Sequence, residues 1–463
     1  MKAMSRESLK EKLKGLTAEQ LSNALLEIAG EDDVRLSKVS RLVSDDAENE
    51  RRFKRRLKDL KQDDRYFGWR QASEFASQLS DLVADVGNLL DPDIGFSLIC
   101  RFYEADSQVF ERCDDSSGSV GDVFRNDAFE VFCKYAQKAS NRGLVLNTVI
   151  SLLAGDDYGA RGEIGSQAKN FLSDAELRTF FDLVNDEAKK DTRDRHSWHW
   201  QLKSIAEQLK DAPLYEKLVT DGMEGAPHSG QTVGIAKVYL SAGDTGRAQQ
   251  LIDSIDKKDG FAASEKRDLQ KEIYRATANE KALAKVLTAE FKAYPSLGQL
   301  EELLKVIGND HRGPLISQVR TKSKVAQNWE KANARFFHEI NDINTLSSLI
   351  LQHASNIDGR SYYELGSYCE SLESNDHFLA ASVLYRLLIE STLEKAISKY
   401  YHHAVGYLRK LDELEIRISD WHSLASHADY SSELNLKHRL KKSFWSRYDS
   451  EKKLRPKPTR KSP

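Results

Sequence analysis

The sequence predicts an all-α fold, a helical-hairpin α-solenoid, on three observations. Apolar residues recur every three or four positions through most of the chain, as on helices with one buried stripe. Eight prolines and 25 glycines in 463 residues are too few to punctuate a strand-and-turn architecture. Amphipathic segments follow one another in pairs separated by short polar turns, so each pair buries its stripe against its neighbours.

Composition sets the outer limits. Hydrophobic residues make up 40% and charged residues 30%, the balance of a helical protein with much surface. The length suits two or three domains or one elongated array. The pattern divides into a helical region at 1–222, a second at 223–449 with a C-terminal capping helix, and a disordered basic tail at 450–463. Net charge is −3, so the molecule as a whole lacks a nucleic-acid footprint. Cys100, Cys113, Cys133 and Cys369 are scattered without a CxxC and read as small buried hydrophobes in a reducing compartment. MKAMSRESLKEKLKG has no apolar segment and is no signal peptide. The greasiest run, Gly143–Gly155, includes Asn147 and Thr148 and is too short and polar to span a bilayer. A cytoplasmic protein with no membrane partner and no cofactor is the expectation.

The elements follow in order. Thr17, with Gln20 three residues on, forms a capping box, and Leu21, Leu25 and Ile28 mark one face before Gly30 ends the helix. A short helix over 32–44 leads to RRFKRRLKDLK, Arg51–Lys61, where Phe53, Leu57 and Leu60 form a narrow seam on a basic rod. Arg51, Arg52, Lys54, Arg55 and Arg56 are either a phosphate-binding patch or a solvated face. An amphipathic run over Gly68–Leu90 stops at Asp91-Pro92. Helices over Ile94–Arg112 and Val123–Ala139 then pack as a hairpin, with Phe102, Val109, Phe124 and Phe132 in the seam.

Between them lies RCDDSSGSVGDVFRN, the most distinctive stretch of the chain. Its short polar side chains compete for backbone hydrogen bonds, Gly118 permits a left-handed turn, and Asp122 is placed to cap a helix opening at Val123. A calcium or phosphate loop is one reading and an acidic connector the other. The EF-hand spacing is missed, because alternate ligands and a closing acid are absent.

ERCDDSSGSVGDVF (Glu111–Phe124) resembles a signature of a family of uncharacterised, largely bacterial helical proteins known only as a domain of unknown function. LTAEQLSNALLEIAGEDD (Leu16–Asp33), DDRYFGWRQASEFASQL (Asp63–Leu79) and the run from Leu379 to Trp445 resemble it as well. Related segments accompany SWIM-type zinc fingers in some longer proteins. The resemblance implies a helical fold and a bacterial cytoplasm, and no reaction. Where the family has Gly-Arg before a lysine, this chain has Arg439-Leu440, which implies a straighter helix there.

Further on, Ser173 and Glu176 form a second capping box. His196 and His199 share a helical face, but no nearby third ligand completes a zinc site, so Trp198 and Trp200 point to packing. In GIAKVYLSAGDTGRAQQLIDSI, Ala236, Tyr239, Ala248 and Ile252 fall where a tetratricopeptide repeat places its packing residues. The leading tryptophan is absent and the next 34 residues do not repeat the pattern, so a tetratricopeptide-like hairpin is expected rather than a regular array. Helices over Ser264–Thr277, Asn279–Tyr294, Ser296–Ile307 and a long one over Pro314–Ile340 follow, then a hairpin of Tyr362–Glu373 and Asp376–Tyr401.

SKYYHHAVGYL and HADYSSELNLKHRLKKSFW close the folded part. Tyr430, Leu434, His438 and Lys441 lie along one helical face, with Phe444 and Trp445 as an apolar plug. Tyr401, His403, His427, Tyr430, His438 and Lys441 form either a polar pocket for an anion or a capping helix pinned to the array. From Lys437 to Lys461, 11 Lys or Arg face two acids, and RPKPTRKSP has no apolar residue.

No nucleophile elbow, P-loop, dinucleotide fingerprint or HExxH occurs. A non-catalytic scaffold for a protein partner is the leading expectation. Weak, non-specific nucleic-acid association through the basic segments is one alternative. A cryptic ligand-binding or enzymatic site on the C-terminal His/Tyr/Lys face is the other.

Overall fold

Thr17 opens its helix as its chemistry requires: its hydroxyl accepts from the Gln20 amide while the Gln20 side chain accepts from the Thr17 amide, and Ala18–Ala29 follows. The computed structural model describes residues 6–31, 33–190, 195–256, 260 and 262–453. The fold is all-α, with no strand among the described residues. Among those residues no helix is long and apolar enough to cross a membrane. Two compact units divide the chain, Met1–Ile273 and Tyr274–Pro463; the sequence reading drew its lines after 222 and 449.

In the first unit the basic helix Asp46–Gln62 buries Phe53 and Leu57 and packs on Ala72–Gly87. Fully burying each such side chain is worth about 1.5–3 kcal/mol, so this stripe orients the rod. Phe102, Val109, Phe124 and Phe132 are all completely buried, as expected of the seam, but the helix expected over Ile94–Arg112 is two, Pro92–Tyr103 and Asp106–Phe110. The Phe102 and Phe124 rings stack 4.7 Å apart, and the buried Tyr103 hydroxyl donates to the Phe124 carbonyl at 2.8 Å.

The acidic connector is built differently from its sequence reading. Asp115, not Asp122, caps the next helix, accepting from the amides of Val120 and Gly121 at 2.9 and 2.8 Å. The helix therefore opens at Ser119, after Gly118 at φ 75°, and Asp122 lies inside it, paired with Arg125 at 3.2 Å. A π-helical turn, Val123–Ala128, follows and carries Phe124 into the core. The stretch also holds its partner segment in place: the Phe67 amide donates to the Arg112 carbonyl at 2.8 Å and the Asp114 amide to the Phe67 carbonyl at 2.9 Å.

Further along this unit, the helices Ser229–Ser241 and Thr245–Ser254 pack together and bury Ala236, Tyr239, Ala248 and Ile252.

In the second unit the expected long helix over Pro314–Ile340 is broken. Arg312–Lys324 ends, a 3-10 turn spans Trp329–Lys331, and Asn333 at φ 52° redirects the chain into Ala334–Glu339. The Asn333 side-chain Nδ2 secures that break by donating to the Ser323 hydroxyl at 2.9 Å. The run over Asp376–Tyr401 stops likewise at Glu394, with Ala396 at φ 56°, before Tyr401–Glu415 begins. Where Arg439-Leu440 implied a straighter helix, the chain turns: His427–His438 ends and Lys442–Lys453 begins. Arg439, at φ −52° and ψ −28°, makes that turn in right-handed backbone, so no glycine is needed. Residues 450–453 of the expected disordered tail are helical, and the remainder, 454–463, lies outside the described residues.

Candidate functional site

The C-terminal helices Phe378–Glu394, Tyr401–Glu415, His427–His438 and Lys442–Lys453 carry the predicted polar constellation. Four-residue spacing turns Tyr430, Leu434 and His438 inward, and all three are buried. Phe444 is completely buried, with Trp445 half-buried beside it.

The six predicted residues do not form one pocket. His427 is buried, and its Nε2 meets the Asp412 carboxylate at 2.8 Å. The Tyr448 hydroxyl donates to both oxygens of the same carboxylate, at 2.9 and 2.7 Å. Burial and that hydrogen bond push the Tyr448 phenol well above its usual range, so it remains a donor. The Ser431 hydroxyl stands 3.5 Å from the same Nε2. A hydroxyl nucleophile relay needs its serine and its carboxylate on opposite ring nitrogens; here they share one, and Nδ1 is buried without a hydrogen-bond partner. The cluster is a clamp rather than a relay. It borders an open groove of about 1020 Å³ that Ser432, Asn435, Arg439 and Lys442 also line.

His438 is held by Glu390 at 3.1 Å, and the same carboxylate oxygen accepts from Lys437 at 2.7 Å. That hydrogen bond raises the Lys437 ammonium above its usual range. Tyr430 covers one face of the Arg386 guanidinium at 4.7 Å and Trp421 lies against it at 4.8 Å. Burial of this sandwich pushes the Tyr430 phenol up and lowers Arg386. Lys441 approaches the Tyr401 hydroxyl at 3.4 Å, and Tyr401 meets Phe444 edge-on. His438 and Lys441 line a second groove, of about 620 Å³, with Leu393, Leu436, Arg439 and Leu440. His403 lines neither groove; it is exposed, its ring 3.9 Å from His402, and burial lowers its pKa. The expected single pocket is thus two grooves that share Arg439, because the inward positions serve as anchors.

The basic helix is likewise split. Arg51 and Arg55 face solvent, and Lys54 pairs with Glu50. Arg52 and Arg56 turn onto Asp85, which is completely buried, at 3.8 and 2.6 Å, with Arg41 at 2.8 Å completing the set. A second buried pair, Arg161 on both oxygens of Asp106 at 2.8 and 2.6 Å, escaped sequence reasoning altogether. Trp198 is buried, and burial lowers His199. Among the described residues no three His, Cys, Asp or Glu side chains group so as to hold a metal ion. Burial raises the thiols, Cys113 to about 11 and Cys133 to about 12, so neither is a thiolate at neutral pH.

No curated protein and no solved structure matches the chain. A family model does, over residues 4–194 and 168–447, which together take in nearly the whole length: the chain belongs to the family of unknown function DUF6880.

Proposed function

We propose that this protein is a non-catalytic scaffold that holds a protein partner. One observation carries the reading. The first helices, Arg6–Leu13, Ala18–Ala29 and Asp33–Val43, expose Leu9, Leu13, Leu25, Leu26, Ile28 and Val43, the last two at 66% and 81%. The stripe through Leu25 and Ile28, which an amphipathic helix would ordinarily bury, is exposed here, and so many exposed aliphatic side chains on three consecutive helices support an interaction site. Two further features support it. The helices Ser229–Ser241 and Thr245–Ser254 pack together and bury Ala236, Tyr239, Ala248 and Ile252, which supports reading them as a tetratricopeptide-like hairpin, an architecture built to present surfaces. The resemblance to segments that accompany SWIM-type zinc fingers suits a module that works beside others. The nucleic-acid alternative is weaker, since two of the five basic residues proposed for it are turned inward onto Asp85.

Affinity capture from the native cell tests this reading, using the full chain and a Leu26→Asp/Ile28→Asp variant. Both positions are exposed, so the variant should melt within about 0.5 kcal/mol of the wild type. The wild type should enrich a defined partner and the variant should lose it. An identical partner set for both, or none for the wild type, would sink the proposal.

A further inference from the structure

We infer that the groove at the turn 439–441 takes an acidic peptide segment carrying apolar side chains, contributed by a protein partner; the inference rests on the scaffold reading and names a class of partner for it. Leu436 and Leu440 are 74% and 84% exposed, on either side in sequence of the buried His438, and with Leu393 they line the groove. Cations surround these leucines. Lys437 is spent, since Glu390 and Glu394 hold it at 2.7 and 3.3 Å. Arg439 and Lys441, which line the groove, have no carboxylate within ion-pair distance among the described residues, so two positive charges remain unneutralised beside an apolar slot. Such a surface complements carboxylates alternating with aliphatic side chains.

The turn is also held ready. His438 is fixed by Glu390, the Trp445 indole donates to the His438 carbonyl at 3.1 Å, and Phe444 is buried beneath it. A rigid site loses little conformational freedom on binding. Two other polyanions fit less well. Bases need aromatic faces to stack on, and the one ring among the groove's lining residues, the His438 imidazole, is buried and held by Glu390. A lipid surface would press phosphates onto Glu394, which stands in the groove wall at 63% exposure. A peptide can set its carboxylates beside Arg439 and Lys441 and leave Glu394 clear.

The test is fluorescence anisotropy on the full-length protein with a labelled peptide of alternating Glu and Leu. A Glu/Ser peptide of equal charge, an oligo-dT strand and phosphatidylserine vesicles serve as competing probes. The Glu/Leu peptide should bind, more weakly as salt is raised. Its affinity should fall about tenfold or more in Leu436→Ser/Leu440→Ser and again in Arg439→Glu, as for central contacts of an interface. All three positions are exposed, so folding is not at stake, and a thermal melt verifies that. Equal binding of the Glu/Ser peptide, unchanged affinity in the variants, or binding only of oligo-dT or vesicles would each overturn the inference. Partner capture separates the two readings. Failed peptide binding with capture still dependent on Leu26 and Ile28 removes this groove alone, whereas failed capture with peptide binding intact removes the scaffold reading built on the N-terminal face and leaves the groove as a peptide site.

Discussion

Asp85 shows how much a single residue decides here. Its carboxylate is fully buried and shares one negative charge among Arg41, Arg52 and Arg56, with Asp81 also 3.7 Å from Arg41, drawing together three helices of the first unit. Removing one partner of a buried ion pair leaves uncompensated charge, typically at a cost of about 3–5 kcal/mol. Asp85→Ala should fall near the low end of that range, because Arg56 is 30% exposed and can swing into water. Urea unfolding of the two proteins measures it, and a loss under about 1 kcal/mol would mean that the arginines have alternative partners. This position was partly legible. Asp85 lies in phase with Leu82 and Val86, so the periodicity puts a carboxylate on a buried face, which demands a cation. Which cation was not legible, since Arg41 is 44 residues away. The same limit hid the C-terminal site: His438 could be read as inward-facing, but Glu390 and the Arg386–Trp421 stack arise only from tertiary packing.

At the scale of the element, local chemistry was readable wherever two residues of one turn answer each other. The capping boxes at Thr17 and Ser173 form as their spacing requires. The break at Ala396 was not readable, because an alanine at positive φ carries no mark in the sequence, and Asn333, of a type enriched at positive φ, is too weak a mark to end a helix on its own. The second box has a pH signature. Glu176 accepts from the Arg142 guanidinium at 2.6 Å, and this ion pair, aided by Ser173, holds its carboxyl at about 2 against an ordinary 4.5. A pKa depressed in the folded state stabilises the fold above the unfolded value and loses that contribution as pH falls through the folded one. Wild type should therefore be more stable than Glu176→Gln at pH 7, with the gap closing between about pH 4.5 and pH 2. Urea midpoints across that interval report it; a gap that stays constant with pH would place the effect of the variant in packing rather than charge.

The whole molecule is two units, and no apolar core draws on both. In Met1–Ile273 one core gathers around Phe96, Phe102, Phe124 and Phe132 and a smaller one around Ala236, Ala248 and Ile252; in Tyr274–Pro463 another gathers around Phe337, Leu346, Leu384 and Leu408. No core's residues appear in another, so a defect in one should be felt chiefly there. Leu384 is completely buried, and Leu384→Ala should cost about 2–5 kcal/mol through lost burial and the cavity left behind. Hydrogen exchange in mild urea locates that loss. Amides of Phe378–Glu394 and Tyr401–Glu415 should exchange faster in Leu384→Ala, while those of Pro92–Tyr103 keep their protection. Asp85→Ala should produce the opposite pattern. If either substitution instead speeds exchange equally in both sets of helices, the two units unfold as one cooperative body and the division drawn by their cores has no energetic meaning.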